Sequence, residues 1–186
     1  MSPLPTREQR FELLYDELRP QLLRFARRRA GSEAAEDVVA DTFLVVWRRL
    51  EEVPSGLDDA RAWVYGITRH ALLNQRRGLG RRRALGLRLM TEDEVAAQGG
   101  HDDIEDVLDR VDLARAWRRL SEGHQEVLGL AVIEGLDAPG AARVLDISPV
   151  AFRLRLSRAR RALRLHLHHQ PSAAPAATRT TARSTP

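Results

Sequence analysis

Apolar residues recur with the period of an amphipathic helix through most of this chain, and three such runs fill its first half. The pattern predicts helices from about Glu8 to Arg29, Ser32 to Leu50 and Asp59 to Arg77, with a break at Val53 to Asp59 marked by Pro54 and Gly56. On the middle helix Ala35, Val38, Val39, Thr42, Val46 and Leu50 share one side, the predicted buried stripe. The opposite side gathers Asp37, Ala40, Asp41, Leu44, Trp47 and Arg48. Exposed leucine and tryptophan among acids suit a docking surface with aromatic anchors and a charged rim, although Trp47 fits an extension of the bundle core equally well. On the third helix Val64, Ile67, Thr68, Ala71 and Leu72 make the buried side. Trp63, Gly66, His70, Asn74 and Arg77 line up elsewhere, flanked by Arg69 and Arg76. That mixture suits unstacked bases and a single-strand backbone, because rings stack on bases and arginine follows phosphate. A lone histidine such as His70 is more often a plain surface residue, so the weight rests on the whole stripe.

The most informative stretch is Gly135 to Leu165. Asp137 is the predicted N-cap of a short helix ending near Leu145, with Pro139 in the first turn, where a missing N–H costs nothing. Asp146 and Ile147 make a turn, Ser148 and Pro149 repeat the start signal, and Val150 to Leu165 forms a second helix with six arginines and no acid. This is the layout of a helix-turn-helix. Phe152, Leu156, Ala159 and Leu163 form one stripe, expected to pack on the first helix. Opposite lie Arg153, Leu154, Ser157, Arg158, Arg161 and Arg164, a face suited to the major groove, where arginine donates two hydrogen bonds to guanine. A solvated basic helix is the plainer reading, but capped turn and segregated charge occur together here.

Between the blocks the pattern fails. From Gly78 to about Val107, glycines at 78, 80, 86, 99 and 100 surround a basic cluster at Arg81 to Arg83 and then an acidic one, the signature of a flexible linker, with a short helix expected near Ala84 to Met90. The tail after His168 is rich in Pro, Ala, Thr and Ser and is expected to be disordered.

Composition narrows the function classes. All 30 basic residues of the 186 are arginine, consistent with a GC-rich bacterial genome and with arginine as the better phosphate and guanine ligand. A net charge of +4 permits a polyanionic partner. With no cysteine, disulfides, thiol chemistry and cysteine-ligated zinc are excluded for this chain. No apolar run nears membrane-spanning length and no signal-peptide pattern begins the chain, so a cytoplasmic protein without membrane insertion is expected. No catalytic constellation, metal-ligand spacing or phosphate-binding glycine loop is evident, so no enzyme, cofactor or metal site is expected.

The segments Ala35 to Trp47 and Ala60 to Arg69 closely resemble region two of the extracytoplasmic-function (ECF) sigma factors of bacterial RNA polymerase. Leu120 to Leu163, with Glu126 to Leu128, Glu134 to Leu136, Ala142, Leu145, Ile147, Ser148 and Arg155 to Arg160, resembles their region four. The likeness covers both blocks in the right order with a linker between. It implies an all-α protein of two helical domains, a region two bundle over 8–77 and a region four helix-turn-helix over 108–168, joined by a flexible linker over 78–107 and followed by a disordered tail over 169–186.

The resemblance also implies roles. Asp37, Asp41, Leu44, Trp47 and Arg48 would dock on the clamp coiled coil of core RNA polymerase. Val53 to Asp59 would be the loop holding an extruded minus-ten base, with Trp63, Arg69, His70, Asn74 and Arg77 as its helical wall. Ser148, Arg153, Leu154, Ser157, Arg158 and Arg161 would read the minus-thirty-five element of promoter DNA, while Arg155 and Arg160 brace the fold or meet phosphate. An anti-sigma factor covering the polymerase-binding surfaces is a further implied partner. The chain departs from the family pattern at Ala40, where glutamine is usual, at His70, where asparagine is usual, and at Leu154, where a small polar residue is common. Ala138 to Ala141 replaces bulky and acidic residues, and Asp146 replaces a turn glycine, a substitution aspartate tolerates in left-handed backbone. The expected function is a sigma factor directing promoter-specific initiation. The alternative is a stand-alone helix-turn-helix regulator binding duplex DNA as a dimer, which would need a dimer interface and no docking face.

Overall fold

A computed structural model describes residues 6–84 and 104–168, and every regular element among them is helical. Helix α1 spans Arg7–Ala30 and opens on a capping box. The Thr6 hydroxyl accepts from the Gln9 N–H at 3.2 Å while the Gln9 carboxamide oxygen accepts from the Thr6 N–H at 2.9 Å. The helix continues through Pro20, whose missing N–H lies on the exposed side. It stops at Gly31, whose φ of 76° only glycine adopts at no steric cost.

Helix α2 (Ser32–Arg48) buries Ala35, Val38, Val39, Thr42 and Val46, as its periodicity predicts, and Phe43 in addition. A 3-10 turn at Leu50–Glu52 leads to α3 (Leu57–Ala84). Thr42 and Thr68 face each other between these helices without cost, because each hydroxyl donates to a carbonyl of its own helix, Val38 at 2.8 Å and Val64 at 2.9 Å. The predicted end of this helix at Arg77 is overrun by seven residues, since Gly78 and Gly80 lower helix propensity without forbidding the conformation.

The second half comprises α4 (Ile104–Arg118), α5 (Glu122–Leu128), α6 (Ala138–Leu145) and α7 (Pro149–His168). Helical structure thus enters the expected linker from both sides. Most of the helix expected near Ala84 to Met90 and the tail expected to be disordered lie outside the described residues. A five-residue π-helical turn, Gly129–Ile133, extends α5, with the Glu134 N–H donating to the Gly129 carbonyl at 2.9 Å.

The turn chemistry of the helix-turn-helix follows the sequence. Asp137 caps α6 by accepting from the Gly140 N–H at 2.7 Å, Asp146 takes the left-handed conformation at φ 54° and ψ 49°, and the Ser148 hydroxyl accepts from the Ala151 N–H at 3.1 Å. The stripe of α7 is a correction. Phe152 belongs to the main core, but Ala159 packs with Leu120 and Leu128, and Leu163 joins Trp117 beside them. Only the start of α7 leans on α6, which is too short at eight residues to cover the rest.

The two blocks share one apolar core. Leu18, Leu22, Phe25, Val64 and Tyr65 of the first half form a continuous cluster with Val127, Leu130, Ala141, Val144 and Phe152 of the second. Helix α6 lies directly on α3, and a Cβ placed at Gly140 would stand 3.4 Å from the Cβ of Ala62. The departure at Ala138 to Ala141 is therefore explained by packing, since small side chains let the two helices approach closely.

Candidate nucleic-acid interfaces and docking face

The acidic and apolar face of α2 is free among the described residues. Asp37, Ala40, Asp41, Leu44, Trp47 and Arg48 are all exposed, Leu44 by 54% and Trp47 by 36%. Both readings of Trp47 are realised in part. Its ring stands edge-on to Phe11 at 5.1 Å, alongside the Phe11, Tyr15 and Phe43 cluster, and the Arg7 guanidinium lies 4.8 Å over it. Arg7 also donates to the Trp47 carbonyl at 2.9 Å, locking the end of α2 to the start of α1. Sequence reasoning missed these α1 residues, because a contact 40 positions away leaves no mark on the local period of α2.

The predicted loop from Val53 to Asp59 is shorter than expected, because α3 already begins at Leu57, and it is braced rather than loose. Arg10 donates to the Val53 carbonyl, Val53 itself is buried, and Leu57 is left exposed at the mouth. Arg49 lies 5.4 Å over the Trp63 ring and pairs with Glu52, a hydrogen bond that raises the arginine and lowers the carboxylate from their ordinary ranges. Along α3, Trp63 and Gly66 are half-buried while His70, Asn74 and Arg77 are exposed, so the predicted stripe forms one accessible surface.

Arg69 is placed elsewhere. It is directed to the second half of the chain, where its Nε donates to Glu126 at 2.7 Å and its Nη2 to the other carboxylate oxygen at 3.3 Å. Arg76 follows it to Glu122 at 2.9 Å. Arg61, Tyr65 and Arg69 thus occupy a flank of α3 adjacent to the open stripe that is covered by the C-terminal half, while Arg76 stays exposed at its edge.

The centre of the covered flank is Glu134, only 5% exposed. Its carboxylate pairs with Arg28, stands 4.0 Å from Arg29, and accepts from the Tyr65 hydroxyl at 3.1 Å, while its carbonyl accepts from Arg61. Burial pulls the Arg29 guanidinium below its usual range against the opposing pull of Glu134. Burial, reinforced by the neighbouring Glu134 charge, pushes the Tyr65 phenol up to about 12. No sequence pattern singled out Glu134 as more than part of a motif, because its partners lie up to 106 positions away.

The face of α7 keeps its predicted composition. Arg153, Leu154, Ser157, Arg158 and Arg161 are exposed, and none of these arginines is ion-paired among the described residues. Val150, 70% exposed and one helical turn before Leu154, adds a second apolar group outside the predicted face. Ser148 is exposed, but its hydroxyl is already engaged in capping the helix.

Among the described residues no helix is long and apolar enough to cross a membrane, and no group of three or more potential ligands could hold a metal ion. Residues 14–82 match the Sigma-70 region 2 family and residues 110–163 match Sigma-70, region 4. The chain is 34% identical over 155 residues to the ECF RNA polymerase sigma factor SigL of Mycobacterium tuberculosis, covering 83% of this chain and 86% of that one. It is 33% identical over 136 residues to the RNA polymerase sigma factor CnrH of Cupriavidus metallidurans, covering 67% of this chain and 69% of that one. Among solved structures, it resembles the sigma factor RpoE in complex with the anti-sigma factor NepR from Bartonella quintana, with a TM-score of 0.64 and 26% identity over 87% of this chain and 98% of that one. CnrH in complex with the cytosolic domain of CnrY gives a TM-score of 0.58 at 25% identity, covering 87% of this chain and 89% of that one.

Proposed function

We propose a residue-level reading of promoter recognition from one premise: the chain belongs to the extracytoplasmic-function sigma factors of the sigma-70 family. It is a promoter-directing sigma factor, binding core RNA polymerase and steering initiation to a subset of promoters. The observation that carries the finer reading is that three chemically distinct exposed faces lie on separate helices of one chain. A dimeric duplex-binding regulator has no use for the acidic and apolar face of α2, whereas a sigma factor needs it.

In this reading Asp37, Asp41, Leu44, Trp47 and Arg48 dock on the clamp coiled coil, with Leu44 and Trp47 as apolar anchors inside a charged rim. The braced segment from 53 to 59, loop and first turn of α3, receives an extruded minus-ten base against Trp63, and His70, Asn74 and Arg77 follow the displaced strand. Strand opening then needs no catalysis by this chain, because base-on-ring stacking worth about 1–3 kcal/mol per base offsets lost pairing. Arg153, Ser157, Arg158 and Arg161 meet the minus-thirty-five duplex, and Leu154 with Val150 rests against thymine methyl groups. Ser148 contributes mainly by fixing the start of α7.

The protein acts in the cytoplasm, beside the polymerase, as a binding factor without catalytic residues, cofactor or metal. Its α2 face also fits an anti-sigma factor, the kind of partner found with the similar solved sigma factors. Reconstituted transcription tests the whole reading: purified protein added to core polymerase and genomic DNA should give a discrete set of start sites. Loss of those starts on changing either promoter element is expected. Transcription that ignores the added protein would overturn it.

A further inference from the structure

The end of α2, the 3-10 turn and the start of α3 meet beside Trp63. This residue is half-buried and packs against the main core, so its ring offers a base only the surface that the core leaves. The Arg49 guanidinium already stands over the ring, 5.4 Å from its centre.

Local backbone puts Arg49 there. Its N–H donates to the Val45 carbonyl at 3.0 Å at the end of α2, and its own carbonyl accepts from the Glu52 N–H at 2.9 Å, closing the 3-10 turn. Side chains three apart eclipse in such a turn, which brings Glu52 alongside Arg49. The carboxylate then takes the guanidinium by two prongs, Nε at 3.0 Å and Nη2. The two side chains are 49% and 55% exposed. An exposed pair of this kind contributes little to stability, so it orients the guanidinium without locking it.

A base stacked on Trp63 and capped by Arg49 needs two stacking gaps of about 3.4 Å each, or roughly 7 Å between ring and guanidinium. The present 5.4 Å is short of that by only ~1.5 Å, a movement that an exposed arginine makes by rotation about its own side-chain bonds. Unstacked bases are held in this manner, against an aromatic ring or the plane of an arginine. A lysine would supply the charge but not the plane.

We propose that Arg49 is the second wall of the minus-ten base slot: it covers Trp63 in the free protein, moves outward when a base is extruded, and closes over that base as a cation–π cap, with Glu52 as its positioning residue. The inference rests on the reading of Trp63 as the stacking platform and adds to it a residue from outside α3. Helix periodicity does not mark Arg49, because it lies past the last residue of α2 and before the first of α3.

The test separates the cap from the platform. Holoenzyme assembled from core polymerase and the full chain is titrated with a promoter fork taken from the start sites it selects, with an abasic residue placed at each position of the single-stranded minus-ten segment in turn. At one position the abasic change and Trp63→Ala should fail to add, which marks the base on the ring. Should Trp63→Ala not fold, Trp63→Leu keeps an apolar contact with the core and removes the stacking plane. On the intact fork Arg49→Ala should raise Kd about three- to thirtyfold, the range for a cation over a ring. On the fork that is abasic at the marked position, the same substitution should change Kd by no more than about twofold. Arg49→Lys should behave more like Arg49→Ala than like the original, and Glu52→Ala should weaken binding more in the Arg49 protein than in the Arg49→Ala protein. Equal losses on intact and abasic forks would make Arg49 a phosphate contact or a loop support, and tighter binding by Arg49→Ala would make it an obstacle; either result overturns the cap. If neither Trp63 variant changed binding at any position while start sites were still selected, the platform itself would be misplaced and the minus-ten reading would fall with the cap.

Discussion

Leu44 and Trp47 lie on the same exposed face but differ in how much of each the fold already uses, and this difference predicts two separable effects. Leu44 is 54% exposed and belongs to neither apolar cluster of the described residues, so Leu44→Ala should change unfolding free energy by no more than about 0.5 kcal/mol. Full burial of a leucine side chain is worth about 1.5–3 kcal/mol, and roughly half of that remains to be gained at an interface. Leu44→Ala should therefore weaken binding to core polymerase by about 0.8–1.5 kcal/mol, or roughly four- to twelvefold in Kd. Trp47 is about two-thirds buried, edge-on to Phe11 and beneath Arg7. Trp47→Ala should cost roughly 2–3 kcal/mol of stability in addition to its loss of docking, since a fully buried tryptophan costs about 3–5 kcal/mol. Urea unfolding followed by circular dichroism gives the stability term, and anisotropy titration of labelled protein with core polymerase gives the binding term. A folded Leu44→Ala protein that binds within twofold of the original would refute the docking argument. An unchanged unfolding midpoint for Trp47→Ala would refute the packing argument independently.

Arg153→Ala or Arg158→Ala should weaken binding to the cognate minus-thirty-five duplex by about 1–3 kcal/mol where the guanidinium grips a guanine, and equal weakening on all sequences would mark a phosphate contact instead. Replacing thymine by uracil along that element should cost about 0.8 kcal/mol at the position under Leu154, and Leu154→Ser should erase the difference; a scan with no loss at any position sinks the methyl contact. Asp146→Gly should stabilise the turn by up to about 1 kcal/mol and raise Tm by some 2–4 °C, because the left-handed backbone there penalises any side chain, whereas Asp146→Val should lower Tm. Tyr65, held near 12 against an ordinary value of 10, favours its neutral form in the fold, so its contribution is intact below pH 10 and is lost as pH rises through 12. That loss amounts to about 3 kcal/mol, visible as a late phenolate absorbance step that Tyr65→Phe removes; a folded protein whose Tyr65 phenolate step is centred near the ordinary value of about 10 would contradict the burial of Tyr65 against Glu134.

Much of this protein was determined by sequence alone, because the relevant interactions are local. The buried stripe of α2, the caps at Asp137 and Ser148, and the left-handed turn at Asp146 depend on residues within one or two helical turns of each other. So do the exposed faces that carry Leu44, His70 and Arg153, since a helix period assigns sides without reference to neighbours. The tertiary structure alone decided which helices those sides meet. Phe152 and Leu163 share a stripe on α7 yet enter different clusters, Tyr65 meets both Phe25 of α1 and Glu134, and Ala62 lies against Gly140 of α6. Arg69 looks like a free nucleic-acid contact in the sequence, and its pairing with Glu126 arises across 57 positions. Periodicity reports how a side chain is oriented about its own helix axis, whereas the mate of a buried carboxylate is chosen by packing between segments far apart in the chain, which no local pattern encodes.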